Sequence, residues 1–295
     1  MVSAIPARLA DGWRARVAPE WLEGWAPRRF ELEGGATEVV VTGRGPTIVL
    51  LPGLPGYKEM WLPLTARLHR RFRIVTFDLR VAGGAGRWAL ALRDLERVAD
   101  AFAPGAAAVV GHSLGGALAQ RWALARPERV SALVLSSSFA RLGNLRGQWR
   151  KRVFEQLAVL ASQRLLPEAL AAPLARRLAA REAWVYDDRC DDRTLAFVRH
   201  GIRTVSPRLA RACLGLAFAH DTRDQLARIA APTRVVVGER ETPWARAAAR
   251  ELADTIPGAD LMLVPGAAHL HPLSTPEGLA SAVIDRLEGV PCAAP

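Results

Sequence analysis

The sequence predicts an α/β fold, a mainly parallel sheet interrupted by a helical insertion of about 90 residues. Short apolar runs alternate with longer helical patterns, the rhythm of βα units. A glycine-rich turn separates a short buried strand from a helix near residue 113. From Phe139 to about Ile229 no convincing strand appears, and the α/β rhythm returns near Pro232.

The elements follow in order. Glu38 to Thr42 (EVVVT) and Thr47 to Leu51 (TIVLL) read as strands, with Gly43 to Gly45 between them. A helix is expected over Met60 to His69, a strand over Arg73 to Phe77 (RIVTF) and a helix over Arg87 to Phe102. Ala107 to Val110 is a short buried strand, followed by a helix from about Leu114 to Ala125 and a strand over Ser131 to Leu135. Through the insertion, Arg, Leu and Ala recur at helical spacing, punctuated by Pro167, Pro173 and Pro207. Strands at Thr233 to Val237 and Leu261 to Val264 then alternate with helices at Ala245 to Ile256 and Pro276 to Leu287. The expected division is a core of residues 1–138 and 229–295 with residues 139–228 inserted as a cap.

The strongest local signal is Gly111-His112-Ser113-Leu114-Gly115-Gly116, lying between a strand and a helix. That is the setting of a nucleophile elbow. The serine takes a strained backbone that lifts its hydroxyl clear of the sheet, so Gly111 and Gly115 keep strand and helix from colliding. The helix N-terminus beyond Ser113 favours developing negative charge.

A serine hydroxyl needs a base. Of six histidines, His269 follows the last expected strand in the small-residue loop Pro265-Gly266-Ala267-Ala268 and can reach back to the elbow. His271 is the competitor, weaker because it sits further into the loop and precedes Pro272. A carboxylate must orient the base. The loop after TRVVV offers Glu239 and Glu241, and the chain order serine, acid, histidine fits either. Two backbone N–H groups must meet the oxyanion. Leu114 supplies one, and Leu54 in the loop Pro52-Gly53-Leu54-Pro55-Gly56 supplies the other.

These stretches, with the FDLR strand end, RPERVSALVL and the PTRVVVGERE…IPGADLMLVPGAAH tail, resemble the alpha/beta-hydrolase superfamily from about Glu38 to Leu287. The resemblance implies an eight-stranded, mostly parallel sheet with a helical cap after strand six. It implies Ser113 as nucleophile, His269 as base, and Leu54 with Leu114 as oxyanion donors. The G-x-x-D pattern of the family places the acid on Glu241, with Glu where Asp is usual. The oxyanion loop begins with Pro52 where many members have His, and the loop after Asp78 is shortened. That loop, with SLGG, VLSSSF and the early cap, is also similar to maspardin, a branch thought to work partly through protein partners. A non-catalytic interaction module is therefore the rival reading, although the retained histidine favours catalysis. The expected activity is a serine hydrolase cleaving a carboxylic ester or related acyl compound, with thioester and carbon–carbon hydrolysis using the same triad. Epoxide hydrolase and haloalkane dehalogenase chemistry is disfavoured, because those relatives carry an aspartate where Ser113 stands.

Composition bounds the rest. The 295 residues carry a formal charge of +11, and 38 of the 40 basic residues are arginine. Residues 138–228 alone contribute a net +8. Arg146, Arg150, Lys151 and Arg152 form a basic cluster there, a candidate contact for anionic ligands or a membrane surface. No motif of nucleic-acid recognition accompanies the charge. Trp149, Phe154, Trp184, Phe197 and Phe218 are candidates for an acyl pocket or for the cap's own core. Asp187, Asp188, Asp191 and Asp192 lack the glycine and terminal Glu of a calcium loop and are expected to pair with Arg189 and Arg193. Cys190, Cys213 and Cys292 form no CxxC pair, and neither a secretory signal nor a membrane-spanning stretch is evident. The expectation is a reduced, cytoplasmic setting, with no metal, no cofactor and a small-molecule acyl substrate.

Overall fold

The computed structural model describes residues 17–54, 56–81, 87–142, 194, 197–198, 201 and 207–289. Eight strands form one sheet: β1 (Arg28–Leu32), β2 (Gly35–Thr42), β3 (Thr47–Leu51), β4 (Arg73–Phe77), β5 (Ala107–His112), β6 (Val130–Ser136), β7 (Thr233–Gly238) and β8 (Asp260–Val264). Their order across the sheet is β1-β2-β4-β3-β5-β6-β7-β8. The β1–β2 and β2–β4 pairs are antiparallel and all later pairs are parallel.

Burial on both faces explains the unbroken apolar runs. Along β3, Ile48 and Leu50 join one core layer while Val49 and Leu51 join the other. Ala108 and Val110 of β5 alternate with Ala107 and Val109 in the same way. The first layer is closed by α1 (Leu62–Leu68) and α7 (Pro276–Glu288), the latter preceded by the short α6 (His271–Ser274), through Leu62, Leu64, Leu279 and Val283. The second is closed by α2 (Arg87–Phe102), α3 (Leu114–Ala125) and α5 (Pro243–Thr255), through Leu95, Trp122 and Leu252.

The order reverses at β3, which pairs β4 on one side and β5 on the other. Connections leaving β3 and β5 therefore diverge at their C-terminal ends, the place where open α/β sheets leave room for a ligand. The loop holding Leu54 and the turn holding Ser113 both lie there.

Several elements differ from expectation, the short α6 among them. β1 was not anticipated, because Arg28-Arg29-Phe30-Glu31-Leu32 buries only Leu32 and reads as a polar segment. Instead of one helix over Met60 to His69, a 3-10 turn at Lys58–Trp61 precedes α1. Pro63 explains the break: it has no N–H to donate and fits a helix only in its first turn.

Charged side chains are buried at the same sheet edge. Arg80 lies against Asp94 in a bidentate pair, with Nε 2.8 Å from Oδ2 and Nη2 2.6 Å from Oδ1. Lys58 Nζ meets Glu38 at 2.8 Å, Glu59 at 2.7 Å and Asp78 at 3.0 Å. The FDLR strand end is thus a structural anchor.

Residues near the two ends of the stretch 139–228 meet: Arg141 bridges Asp221, and Thr222 N–H donates to Ala140 O at 3.1 Å. Within that stretch, α4 (Pro207–Phe218) is helical. Phe197 is buried with its ring 6.2 Å from that of Tyr57, whereas Phe218 is exposed. Trp149, Phe154, Trp184, the basic cluster at Arg146 to Arg152, the aspartates 187–192, Cys190 and Cys292 lie outside the described residues. Among the described residues no helix is long and apolar enough to cross a membrane, and no cluster of metal-ligating side chains occurs. Cys213 is buried, and burial pushes its thiol pKa up to about 12.

Candidate active site

Ser113 stands between β5 and α3 with φ 50° and ψ −114°. Positive φ is costly for a residue with a Cβ and marks a backbone over-determined by its surroundings. Here those surroundings are concrete. Ser113 N–H donates to Ser136 O at 2.8 Å, and its carbonyl accepts from Gly116 N at 3.0 Å and Ser138 Oγ at 3.0 Å. The flanking glycines are needed for close approach. A Cβ on Gly111 would stand 2.5 Å from Gly115 O, and one on Gly115 would stand 2.0 Å from Leu51 O. Ser113 is only partly covered, unlike its neighbours on both sides.

The loop after β3 lies directly against this elbow. A Cβ on Gly53 would come within 3.3 Å of Ser113 Cβ and 2.9 Å of His112 Cδ2. Gly53 N–H donates to Met60 Sδ at 3.1 Å, and Gly56 N–H closes a turn onto Gly53 O at 2.6 Å. Leu54 occupies that turn with an exposed side chain. Leu114 opens α3, so its N–H has no acceptor in its own helix.

Backbone contacts lock the loops after β7 and β8 to each other. Glu239 N–H donates to Val264 O at 3.1 Å and Arg240 N–H to Ala267 O at 2.9 Å. Gly238 permits this, since a Cβ there would stand 2.4 Å from Ala267 O. The two candidate acids then separate. Glu241 is buried, with Oε2 2.9 Å from His269 Nδ1. Glu239 is exposed, and its Oε2 accepts from Gly266 N at 2.8 Å.

Burial alone would raise the Glu241 carboxyl, but His269, His271 and the Ser137 hydroxyl outweigh it and hold the group below the usual carboxylate range. A carboxylate only accepts, so His269 Nδ1 carries the proton of this contact, and Nε2 is the ring nitrogen turned away from the acid. The His269 ring lies 4.9 Å, centroid to centroid, from that of His112, the residue preceding Ser113. Burial first, then His269 and His271, lower His112 far below an ordinary histidine, so it stays neutral.

Further residues gather around this acid. His271, the weaker candidate base, is fully buried, with Nε2 3.1 Å from both Ser136 Oγ and Ser137 Oγ. Ser137 Oγ donates to Glu241 Oε1 at 2.5 Å, and Gly238 N–H donates to the same oxygen at 3.1 Å. Ser136 and Ser137 belong to the SSS run that begins at the end of β6; no spacing rule marks them, because His271 and Glu241, which they contact, lie more than 100 residues away.

The profile of the Alpha/beta hydrolase family matches residues 48–282. The chain is 31% identical over 251 residues to a pimeloyl-[acyl-carrier protein] methyl ester esterase of Nitrosomonas europaea, covering 82% of this chain and 96% of the relative. A protein of the same description from Chromobacterium violaceum is 30% identical over 255 residues, covering 85% and 97%. Among solved structures, Rv0554 of Mycobacterium tuberculosis superposes with a TM-score of 0.71 at 23% identity, covering 90% of this chain and 99% of that one. The chain belongs to the alpha/beta hydrolase family of enzymes.

Proposed function

We propose that the protein hydrolyses a carboxylic ester or related acyl substrate through a Ser113–His269–Glu241 triad. The observation that carries this reading is the 2.9 Å contact from His269 Nδ1 to the buried Glu241 carboxylate, with the imidazole against the strained elbow of Ser113. The assembled acid–base pair favours catalysis over a non-catalytic interaction module.

In this mechanism Ser113 Oγ attacks the substrate carbonyl carbon while His269 Nε2 takes the hydroxyl proton. The carbonyl π electrons move to oxygen, where the Leu54 and Leu114 N–H groups stabilise the charge. Collapse expels the alcohol, protonated by His269, and leaves an acyl-Ser113 ester. Water, deprotonated by His269, attacks that ester; the second collapse releases the acid and returns the proton to Ser113. Glu241 holds His269 in the productive tautomer and offsets the imidazolium charge. Glu239 stays outside the proton path.

The inserted residues 139–228 act as a cap over the proposed site in this reading. Supporting this, Phe197 packs on Tyr57, and a Cβ on Gly201 would stand 2.2 Å from Tyr57 Oη, three residues beyond Leu54. Acyl esters are the substrate class favoured by the relatives described as methyl ester esterases. The test is burst release of p-nitrophenol from p-nitrophenyl butyrate, together with labelling by a fluorophosphonate. Wild type gives a burst and labels; Ser113→Ala does neither. A burst of wild-type size in Ser113→Ala refutes the proposal.

A further inference from the structure

Accepting the triad above, we infer that Ser137 and His271 are positioning residues that clamp the Glu241 carboxylate from behind. Ser113 and Ser137 are the two non-glycine residues with positive φ among those described, at 50° and 48°. They follow the ends of the neighbouring strands β5 and β6. At Ser113 the strain presents the nucleophile. At Ser137 it aims a hydroxyl at the acid: Ser137 N–H is tied to Val236 O at 2.7 Å, and Oγ reaches Glu241 Oε1 at 2.5 Å. Glycine would adopt this backbone without strain, so what serine adds there is its hydroxyl.

Hydrogen-bond valence fixes the direction of the chain. Ser137 has one proton, and the carboxylate can only accept it. The Ser137 oxygen is then left as an acceptor for His271 Nε2, 3.1 Å away, so that nitrogen carries its proton. The same nitrogen lies 3.1 Å from Ser136 Oγ, which in turn lies 3.0 Å from His112 Nδ1. A connected set of side chains thus runs from the residue before the nucleophile, through His271 and Ser137, to one carboxylate oxygen, while the other serves His269.

The clamp answers a specific geometric need. Glutamate has one more rotatable bond than aspartate and can swing its carboxylate off the His269 line. With Oε1 held by Ser137 Oγ and Gly238 N–H, only Oε2 faces the base. Releasing Oε1 lets the base drift, and a misplacement of about 1 Å costs on the order of 100-fold in rate.

The test is a double-mutant cycle on the full chain with p-nitrophenyl butyrate. Ser137→Ala and Ser137→Gly are each expected to lower kcat by about 10- to 100-fold with KM within about twofold. The Gly variant relieves the backbone and keeps the test open if the Ala variant folds poorly. His271→Leu should lose a similar factor, and His271→Gln, whose amide N–H reaches the Nε2 position, should restore most of it. Added to Glu241→Gln, Ser137→Gly should cost no further activity, because it acts only through that carboxylate. Wild-type kcat in both Ser137 variants overturns the inference, as does a loss that adds fully to Glu241→Gln. If Ser113→Ala is also fully active, the triad itself fails; if Ser113→Ala is inert while the Ser137 variants are unaffected, only the clamp fails.

Discussion

Glu241→Gln is the sharpest perturbation of the proposed site, because amide and carboxylate have nearly the same shape and opposite hydrogen-bond demands. Glu241 accepts on both oxygens: from His269 Nδ1 at 2.9 Å on Oε2, and from Ser137 Oγ at 2.5 Å and Gly238 N–H at 3.1 Å on Oε1. An amide cannot meet all three. With its NH2 toward His269, it forces the Nδ1 of the ring to accept, which moves the ring proton to Nε2 and blocks removal of the Ser113 proton. With its oxygen toward His269, its NH2 points at the Gly238 N–H, donor against donor. The equivalent tautomer error in a serine protease lowers kcat by about 10⁴. A loss of that size corresponds to about 5 kcal/mol of transition-state stabilisation. Glu239→Gln is the control, since its carboxylate is exposed and accepts from Gly266 N–H. Burst amplitude and steady-state kcat on p-nitrophenyl butyrate, with thermal unfolding to certify folding, should show a folded but nearly inert Glu241→Gln. Glu239→Gln should stay within about twofold of wild type, since losing one exposed hydrogen bond costs at most about 1 kcal/mol of stability. Equal activities in the two variants refute the assignment.

Further outcomes follow from the packing. Gly115→Ala places a methyl 2.0 Å from Leu51 O, backbone against backbone, so the elbow must shift. Its unfolding free energy in urea should drop by more than about 2 kcal/mol, with loss of fluorophosphonate labelling, and an unchanged urea midpoint contradicts the packing argument. Asp94→Ala strands the buried Arg80 guanidinium and should cost about 3–5 kcal/mol in the same assay, whereas the Arg80→Met, Asp94→Leu double variant should regain most of that. Glu59 is raised to about 7 by burial and by Asp78, against the pull of Lys58. Its folded pKa lies above the unfolded one, so its stabilising contribution is complete below about pH 4.5 and is lost as the pH rises through 7. Glu59→Gln should therefore flatten the fall in stability between pH 5 and pH 8, by up to about 3 kcal/mol. An unaltered slope in that variant shows that the proton resides elsewhere.

Local signals carried much of the architecture. The alternation of apolar runs and helical periods placed β3, β4, α2, α3 and α7 within a few residues, because their burial is dictated by period 2 or 3.6 along the chain itself. β1 was invisible for the same reason: its order comes from pairing with β2, and its own residues are mostly exposed. At the proposed site, Ser113, His269 and the loop holding Leu54 were legible as candidates, because each proposed role needs small residues at fixed offsets. The choice between Glu239 and Glu241 was not, since both share one loop and only the packing of Ala267 on Gly238 turns one inward. Ser136 and Ser137 left no sequence trace. Their contacts with His271 and Glu241 span more than 100 residues, which neither periodicity nor motif encodes.

Under the proposed triad, a glutamate stands where the family pattern has aspartate, and the sheet bears on that choice. Ser113 leaves β5 and Glu241 follows β7, so β6 lies between the proposed nucleophile and acid. Neighbouring strands are about 4.8 Å apart, which separates the two strand ends by roughly 10 Å. An imidazole with hydrogen bonds on both sides spans much of that gap, provided the carboxylate is delivered underneath it. A side chain lengthened by one methylene reaches further from β7 but gains a torsion. The strand in the middle then removes that freedom. β6 ends in Ser136, and Ser137 beyond it turns back at positive φ to hold the oxygen that does not face the base. In this arrangement the longer acid and the strained serine are one solution. Glu241→Asp should lose activity with Ser137 intact, because the shortened carboxylate cannot reach both Ser137 Oγ and His269 Nδ1 at once. A Glu241→Asp enzyme with wild-type kcat means that reach across β6 is not what the extra methylene provides.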